Sequence, residues 1–510
     1  MATITPGATT SAALAEKKKL RKGFKLFDMI FYTVATLLGI DTLGTVSSHG
    51  GQVLAWLLIS ALTFLLPYGL LVSELGTTFP QEGGVYEWCK MAGGSFYAAL
   101  GSMLYWISNP LWLGGTLSVT AIAAIKSLGF ANTKMLFGGT KLNDALSEMG
   151  IALLFIWGTT WCSILSLRVG KWLCVLGSYI KLALLTIFAL LALCYFFRGY
   201  ATGEHLGMSD MLPTGDWGMI VSVILPVLIF NWVGFEVQNG AAEEMNDPHR
   251  DVPRSLLHAG TIALVAYIIP ITVILFTLSK NQLSNASGFM QSFKVVARVV
   301  PSPFGPWLCS LIAAGVIVAL ASSGGSWIIG ANRTYAIAAL DRAAPLLLGR
   351  FSTRFGTPVA VSILTGITAT LAMAAAISIN TFGSDTITAL FTLVLGFTIS
   401  TTTLSYLFIF PSYLILRYKY PHVPRPYRVP GGLPGAWLVT LLTFGYAALT
   451  SYFILIPTDS TVKSSDVSRF TYEATQFAAL AVIVLLTIIF YLWGHTEKRE
   501  QDLPSPESQE

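Results

Sequence analysis

Two short segments of this 510-residue chain place a carboxylate between glycines within long apolar stretches. The first is Gly39–Gly44, which contains Asp41, and the second is Gly234–Gly240, which contains Glu236. Because glycine tolerates non-helical conformations, each segment could unwind a helix and free its backbone N–H and C=O groups. Free N–H groups at the positive end of a helix dipole could hold a carboxylate, and free carbonyl groups could hold an ammonium group. The alternative is that the glycines only permit close packing of helices.

A third charge, Lys181, also lies within an apolar stretch. Burial disfavours the charged form of an amine, so this lysine could bind and release a proton during a functional cycle. Alternatively, its long side chain could reach back to a polar boundary. Each of the three charges therefore interrupts an otherwise apolar environment.

The composition indicates what surrounds these charges. Hydrophobic residues make up 54% of the chain and charged residues only 11%, and the mean hydropathy is +0.66. Soluble domains carry roughly 25% charged residues, so 31 Lys and Arg with 26 Asp and Glu cannot cover a protein of this size in water. We therefore expect an all-α polytopic membrane protein. The net charge of +5 does not indicate nucleic-acid binding, and five cysteines without metal-ligand spacing predict no metal site.

Apolar runs long enough to cross ~30 Å of hydrocarbon at ~1.5 Å per residue predict twelve transmembrane helices. Their predicted cores are 26–47, 52–72, 96–125, 150–168, 172–197, 217–240, 259–279, 305–331, 358–379, 386–416, 435–457 and 474–494. Lys and Arg concentrate on the side that carries the N terminus, so the positive-inside rule predicts that both termini are cytoplasmic. Residues 1–25 are expected to form a disordered basic tail, and residues 495–510 a second cytoplasmic tail.

The two glycine-flanked carboxylates lie in the first and sixth predicted spans. A separation of five spans reverses the direction of the chain through the membrane, which is the arrangement of two inverted five-helix repeats. The repeats are predicted at 26–197 and 217–416, each beginning with a discontinuous helix, and helices eleven and twelve follow at 435–494.

Further motifs give the chain a resemblance to a known family. The segments Phe230–Glu236 and Glu243–Leu256 resemble the sixth helix and the following cytoplasmic turn of amino acid–polyamine–organocation (APC) transporters, the amino acid permeases. Glu74–Tyr86 after the second span and Arg333–Pro345 after the eighth are similar to further family motifs. The resemblance covers essentially the whole chain. The family's Gly-Ser-Gly signature of helix one is absent and is replaced by Thr36–Gly44.

The resemblance implies a LeuT-like fold, with substrates that are mostly amino acids and polyamines. It implies that unwound backbone in helices one and six meets the amino and carboxyl groups of the substrate. The substrate-binding residues expected on this chain are Gly39, Asp41, Thr42, Phe230, Trp232, Val233 and Gly234. By the same resemblance, Glu236 is the helix-six carboxylate linked to gating, and Lys181 falls where proton-coupled relatives carry a lysine in helix five.

Asp41 is the unusual element among these residues. An unpaired carboxylate inside a membrane is costly, so it should be protonated, paired with Lys181, or reserved for a cationic group of the substrate. A structural carboxylate bonded to the backbone or to Thr33 or Thr36 is the alternative. If the carboxylate is reserved for the substrate, the substrate carries a free amine.

The expected function is secondary active transport of amino acids or related amines by alternating access, coupled to protons. Exchange of one substrate for another without protons is the alternative, and a transport-inactive receptor or scaffold is a third class. No enzymatic activity and no cofactor are expected, because the six histidines are scattered and form no catalytic pair. The predicted partners are the small-molecule amine, protons and the lipid bilayer of a bacterial inner membrane or a plasma membrane. Ser322, Ser323 and Ser326 could instead serve a sodium site if Lys181 pointed away.

Some polar and aromatic residues outside the two glycine-flanked segments remain ambiguous. Glu74 and Glu82 are interpreted as solvated loop charges, with a gate that includes Arg333 or Arg250 as the alternative. The aromatic residues of spans three and eight are interpreted as packing or interface residues, although they could line a cavity. These aromatic residues are Trp106, Trp112 and Trp327.

Overall fold

A computed structural model gives the fold as a set of packed α-helices. It describes residues 23–127, 141–165, 167–200, 207–213, 215–279, 287–382, 387–459, 461–462 and 468–502. Nearly all of the predicted N-terminal tail, and residues 503–510 of the C-terminal one, lie outside these ranges. Within them there is no β-strand, and an isolated bridge joins Phe24 to Met245. The predicted all-helical class is confirmed.

The helices follow the predicted spans, with the first span broken into α1 (Leu26–Leu37) and α2 (Leu43–Ser47). The helices after the break are α3 (Gln52–Thr78), α4 (Val85–Gly93), α5 (Ser95–Trp112), α6 (Ser118–Ser127), α7 (Lys141–Leu165), α8 (Leu167–Phe197), α9 (Leu225–Trp232), α10 (Pro248–Thr277), α11 (Gly288–Val296), α12 (Phe304–Leu340), α13 (Val359–Phe382), α14 (Ile387–Lys419), α15 (Gly432–Leu455) and α16 (Arg469–Asp502).

Ten helices in the described ranges are long and apolar enough to cross a membrane, so this is a multi-pass membrane protein. They are α3, α7, α8, the segment Trp217–Glu244 that contains α9, α10, and α12 to α16. The other two predicted spans coincide with α1 and α2, and with α5 and α6, which a π-helical turn at Leu113–Leu117 joins.

Several helices extend beyond the predicted apolar cores because their ends are polar. Helix α10 begins at Pro248, eleven residues before the predicted core. Proline is favoured at the first helical position, and the Asp247 side chain caps the helix by accepting a hydrogen bond from the backbone N–H of Arg250 at 3.3 Å. Helix α16 continues to Asp502, so part of the predicted C-terminal tail is helical.

The sixth predicted span is also broken. A π-helical turn at Ile220–Ile224 leads into α9, which ends at Trp232, and a 3₁₀ helix resumes at Val237–Glu244. Helix α1 packs against α8, α10 and α12, and the 3₁₀ helix packs against α12. The two breaks therefore face each other in the interior, with the long helix α12 beside both.

Candidate substrate site

The side chain of Lys181, on α8, reaches the end of α1. Its Nζ donates hydrogen bonds to the carbonyl oxygens of Ala35 and Leu38, both at 2.9 Å, and to the Ser323 hydroxyl at 2.6 Å. The last carbonyl groups of a helix have no partner within it, and a membrane interior offers no water to satisfy them. The buried lysine therefore supplies donors that the broken helix lacks.

Two aromatic side chains satisfy the remaining carbonyl groups of this helix end. The Tyr267 hydroxyl, on α10, donates to the carbonyl of Leu37 at 2.7 Å and accepts from the backbone N–H of Gly39 at 2.8 Å. Trp327, on α12, donates from Nε1 to the carbonyl of Thr36 at 3.3 Å. Side chains of three neighbouring helices thus hold the break in α1 open.

The break after α9 is stabilised by a chain of hydroxyl groups. Gly234 has a φ of +127°, a conformation that favours glycine, and its N–H and that of Phe235 both donate to the Tyr68 hydroxyl at 3.1 Å. That hydroxyl lies 3.2 Å from the hydroxyl of Tyr406, which donates to Oε1 of Glu236 at 2.8 Å. Oε2 of Glu236 is buried without a hydrogen-bond partner. The helix-six carboxylate is therefore linked to the break by two tyrosines.

Asp41 lies between the breaks and bonds to the third predicted span. Its Oδ2 accepts from Nε1 of Trp112 at 2.8 Å and from the Thr116 hydroxyl at 3.4 Å, whereas its Oδ1 is buried without a partner. No hydrogen bond or ion pair joins Asp41 to Lys181, Thr33 or Thr36 within the residues that the structure describes. One carboxylate oxygen is thus available to a further donor.

A narrow cavity lies where the two breaks meet. It is lined by Thr36, Leu37, Gly39, Thr42, Trp112, Phe230, Asn231, Val233, Tyr267 and Trp327. Its water-accessible volume is about 10 Å³, which is room for about one water molecule. Four of the predicted binding residues line it, namely Gly39, Thr42, Phe230 and Val233. The cavity in this conformation is too small to hold an amino acid.

The other predicted binding residues do not line the cavity. Asp41 lies directly behind the wall, since a Cβ on Gly39 would be 2.9 Å from its Oδ1. Gly234 belongs to the break itself, and Trp232 points away, donating from Nε1 to the Ser60 hydroxyl at 2.9 Å. Consecutive residues of a helix point in different directions, so the orientation of α9 that turns Asn231 toward the cavity turns Trp232 away from it.

Asn231 is a lining residue that the sequence reasoning missed. Both polar atoms of its amide are buried without a hydrogen-bond partner. The signal in the sequence that could have indicated this residue is a polar side chain within an apolar segment, close to the glycine of the break. Trp112 and Trp327 line the cavity, whereas Trp106 packs elsewhere and donates to Asn332 at 3.0 Å.

Comparison with known proteins identifies the family of this chain. The family model described as amino acid permease matches residues 24–493, which is nearly the whole chain. The chain belongs to the amino acid permease family.

Relatives of this permease include several transporters. It is 29% identical to a probable agmatine/putrescine antiporter of Lactococcus lactis, over 81% of this chain and 83% of the relative. It is 24% identical to an uncharacterized transporter of Legionella pneumophila, over 96% and 99% of the two chains. It is 22% identical to a glutamate/gamma-aminobutyrate antiporter of Lactococcus lactis, over 92% and 90%. The permease is therefore a transporter of amino acids or amines, not an enzyme.

The permease also has a buried cluster of charged side chains on the side where α1 begins. We name it the Glu82 cluster, and it consists of Glu82, Glu243, Glu244 and Arg333. The guanidinium of Arg333 lies 3.4 Å from Oε1 of Glu82 and 3.2 Å from Oε2 of Glu244. Glu82 and Glu243 each accept a hydrogen bond from the other's backbone N–H. Glu82 is fully buried and Glu74 is 1% exposed, so the interpretation of both as solvated loop charges is wrong. The cluster joins the α3–α4 loop to the 3₁₀ helix beyond the α9 break.

We predict that the Glu82 cluster opens more readily as the pH rises. Burial, reinforced by the nearby Glu244, raises the pKa of Glu82 well above its ordinary value, and Arg333 opposes this only in part. The closed cluster therefore favours protonated Glu82, and its stability is lost as the pH rises through that pKa. Hydrogen exchange of residues 237–244, corrected for intrinsic rates, should be faster at pH 8 than at pH 5.

The E82Q variant should remove most of this pH dependence, because glutamine keeps the uncharged form at every pH. The matched control is E148Q, since Glu148 lies on α7 and pairs with Lys126 rather than with a member of the cluster. Equal pH dependence in E82Q and in the unmodified permease would rule Glu82 out as the titrating group.

Proposed function

We propose that this permease is a secondary transporter that moves amino acids or related amines by alternating access. The proposed architecture has twelve spans, comprising two inverted five-helix repeats and helices eleven and twelve, with both termini in the cytoplasm. The two breaks, five predicted spans apart, support the repeats. In this mechanism, the segments around both breaks move against α8 and α12, and the cavity between them opens to each side in turn.

The observation that carries the proposal is the unpartnered Oδ1 of Asp41 behind a cavity that both breaks line. A buried carboxylate oxygen without a donor is costly unless a ligand supplies one. An ammonium group fits this need, because it offers three donors and a positive charge. The free amide of Asn231 could bind a second polar group of the same substrate. The proposed substrate therefore carries at least one free amine.

We propose that Lys181 couples transport to protons. When protonated, its ammonium group can donate to Ala35, Leu38 and Ser323 together, and this holds the end of α1 against α8 and α12. Loss of a proton removes the charge from these hydrogen bonds and weakens them, since charge-assisted bonds are about twice as strong as neutral ones. Proton release would thereby free the end of α1 to move. Lys181 bonds to Ser323, one of the hydroxyl groups that a sodium site would need, so this arrangement favours protons over sodium.

Exchange without proton coupling is the second candidate, because two of the relatives are named as antiporters. We expect purified permease in liposomes to take up labelled putrescine, agmatine, glutamate or gamma-aminobutyrate. Uptake into vesicles without internal substrate, driven by an imposed pH gradient, would support proton coupling. Uptake only into substrate-loaded vesicles, regardless of the gradient, would support exchange. Binding without flux under either condition would contradict transport and favour the receptor role.

A further inference from the structure

An apolar groove outside the substrate site lies between α3 and α10, and we name it the α3–α10 groove. Its volume is about 480 Å³, within the ~300–1,000 Å³ range of small-molecule pockets. Most of its lining is aliphatic, and Leu62 and Leu257 on its two sides are 70% and 65% exposed. The groove opens on the outer surface of the helix bundle, which faces lipid.

The groove has the dimensions of a lipid chain. On α3 it extends from Leu58 to Ser73, sixteen residues whose fifteen helical rises span about 22 Å at ~1.5 Å per residue. The hydrocarbon core is ~30 Å thick, so the groove covers more than one leaflet in depth. A single acyl chain can follow such a path, whereas a compact polar molecule would leave most of the apolar walls uncovered.

One end of the groove is polar and positively charged. Arg254 and Tyr427 line this end, and no hydrogen bond or ion pair to the guanidinium of Arg254 or the hydroxyl of Tyr427 occurs in the described part of the chain. The hydroxyls of Ser73 and Thr261 already donate to carbonyl groups of their own helices. Two carboxylates act electrostatically on this end: Asp251, one turn earlier on α10, acts on Arg254, and Glu74, which is itself paired with Arg417 and Arg425, acts on Tyr427. A guanidinium and a hydroxyl at the mouth of an apolar groove complement a phosphate group.

Phe235 connects the groove to the break after α9. The ring of this residue forms part of the groove, and its backbone belongs to the break after α9. Gly69 and Gly260 leave space for the ring, because a Cβ on either glycine would be within 3.2 Å of it. A molecule in the groove therefore contacts a residue of the break after α9.

We propose that the α3–α10 groove binds an anionic phospholipid, with its phosphate on Arg254 and Tyr427 and an acyl chain along the aliphatic walls. The basis is the charge complementarity at one end and the length of the apolar path behind it. This site is separate from the cavity between the breaks, and the proposal does not depend on which amine is transported.

Native mass spectrometry of the purified full-length protein can test the site with phosphatidylglycerol and phosphatidylethanolamine as probes. We expect preferential retention of phosphatidylglycerol, and about five-fold weaker retention in R254Q, as for the loss of one basic contact near a membrane surface. The matched control is R350Q, because Arg350 is also exposed but lies outside the groove. The L257W variant should displace both lipids by filling the groove, whereas L154W on the exposed face of α7 should displace neither.

Two results would overturn the proposal. Equal retention of both lipids, unchanged in R254Q, would mean that the groove holds lipid chains without selecting a headgroup. Cross-linking between two copies through L257C in vesicles would mean that a second copy covers the groove. Because Arg254 and Leu257 are exposed, these variants should fold, and Y427F gives an independent test of the phosphate contact.

Discussion

Replacing Lys181 with methionine is expected to reduce transport by about 100-fold or more. Methionine has similar length but no donor, so the carbonyl groups of Ala35 and Leu38 lose their hydrogen bonds to the lysine within the membrane interior. Leaving a buried acceptor unsatisfied costs ~1–3 kcal/mol, and hydrogen bonds to charged groups contribute ~1.5–3 kcal/mol each. The end of α1 should then adopt other conformations, and the correctly formed break should become a minor state.

The measurement is the initial rate of substrate uptake into liposomes, with and without a pH gradient. The matched control is K171M on the same helix, because Lys171 pairs with Asp28 at a partly exposed position, where ion pairs contribute little. If Lys181 carries the coupling proton, residual flux in K181M should not respond to the gradient. Wild-type rates with an unchanged gradient response would contradict both roles proposed for this lysine.

Much of the fold and the position of the site could be predicted from the sequence. Apolar run lengths predicted the helical class and most of the helices, because the bilayer fixes the length that a span must have. Glycines beside a carboxylate correctly predicted the breaks near Gly39 and Gly234, since unwinding needs residues that tolerate non-helical backbone.

The partners of the site residues could not be predicted in the same way. Tyr267 and Trp112 contact the first span from helices distant in sequence, and no periodic pattern indicates that their polar atoms point inward. The rotation of α9 about its own axis determines that Asn231 lines the cavity and Trp232 does not. Because α9 ends at a break, the sequence does not determine this rotation. Glu74 was misread for a related reason, because Arg417 and Arg425, which pair with it, lie more than three hundred residues later.

Replacing Asp41 with asparagine is expected to raise the apparent KM for an amine substrate by about 100-fold, which corresponds to a charge-assisted hydrogen bond of about 3 kcal/mol. Asparagine has nearly the same shape, and its side-chain oxygen can still accept from Trp112. The fold should therefore remain intact, and the variant should lose only its contact with the substrate. Diamines such as putrescine, and agmatine, should be affected if their ammonium or guanidinium group binds here.

The readouts for D41N are KM and kcat from exchange assays, together with the melting temperature of the purified protein. The control is D28N, since Asp28 is a carboxylate on α1 that pairs with Lys171 away from the cavity. A raised KM with a nearly unchanged melting temperature is the signature of a lost substrate contact. A reduced kcat with an unchanged KM would instead assign Asp41 to the conformational change, because removing a contact to the bound amine must weaken binding. The two parameters therefore separate a carboxylate that binds the amine from one that only stabilises the broken helix.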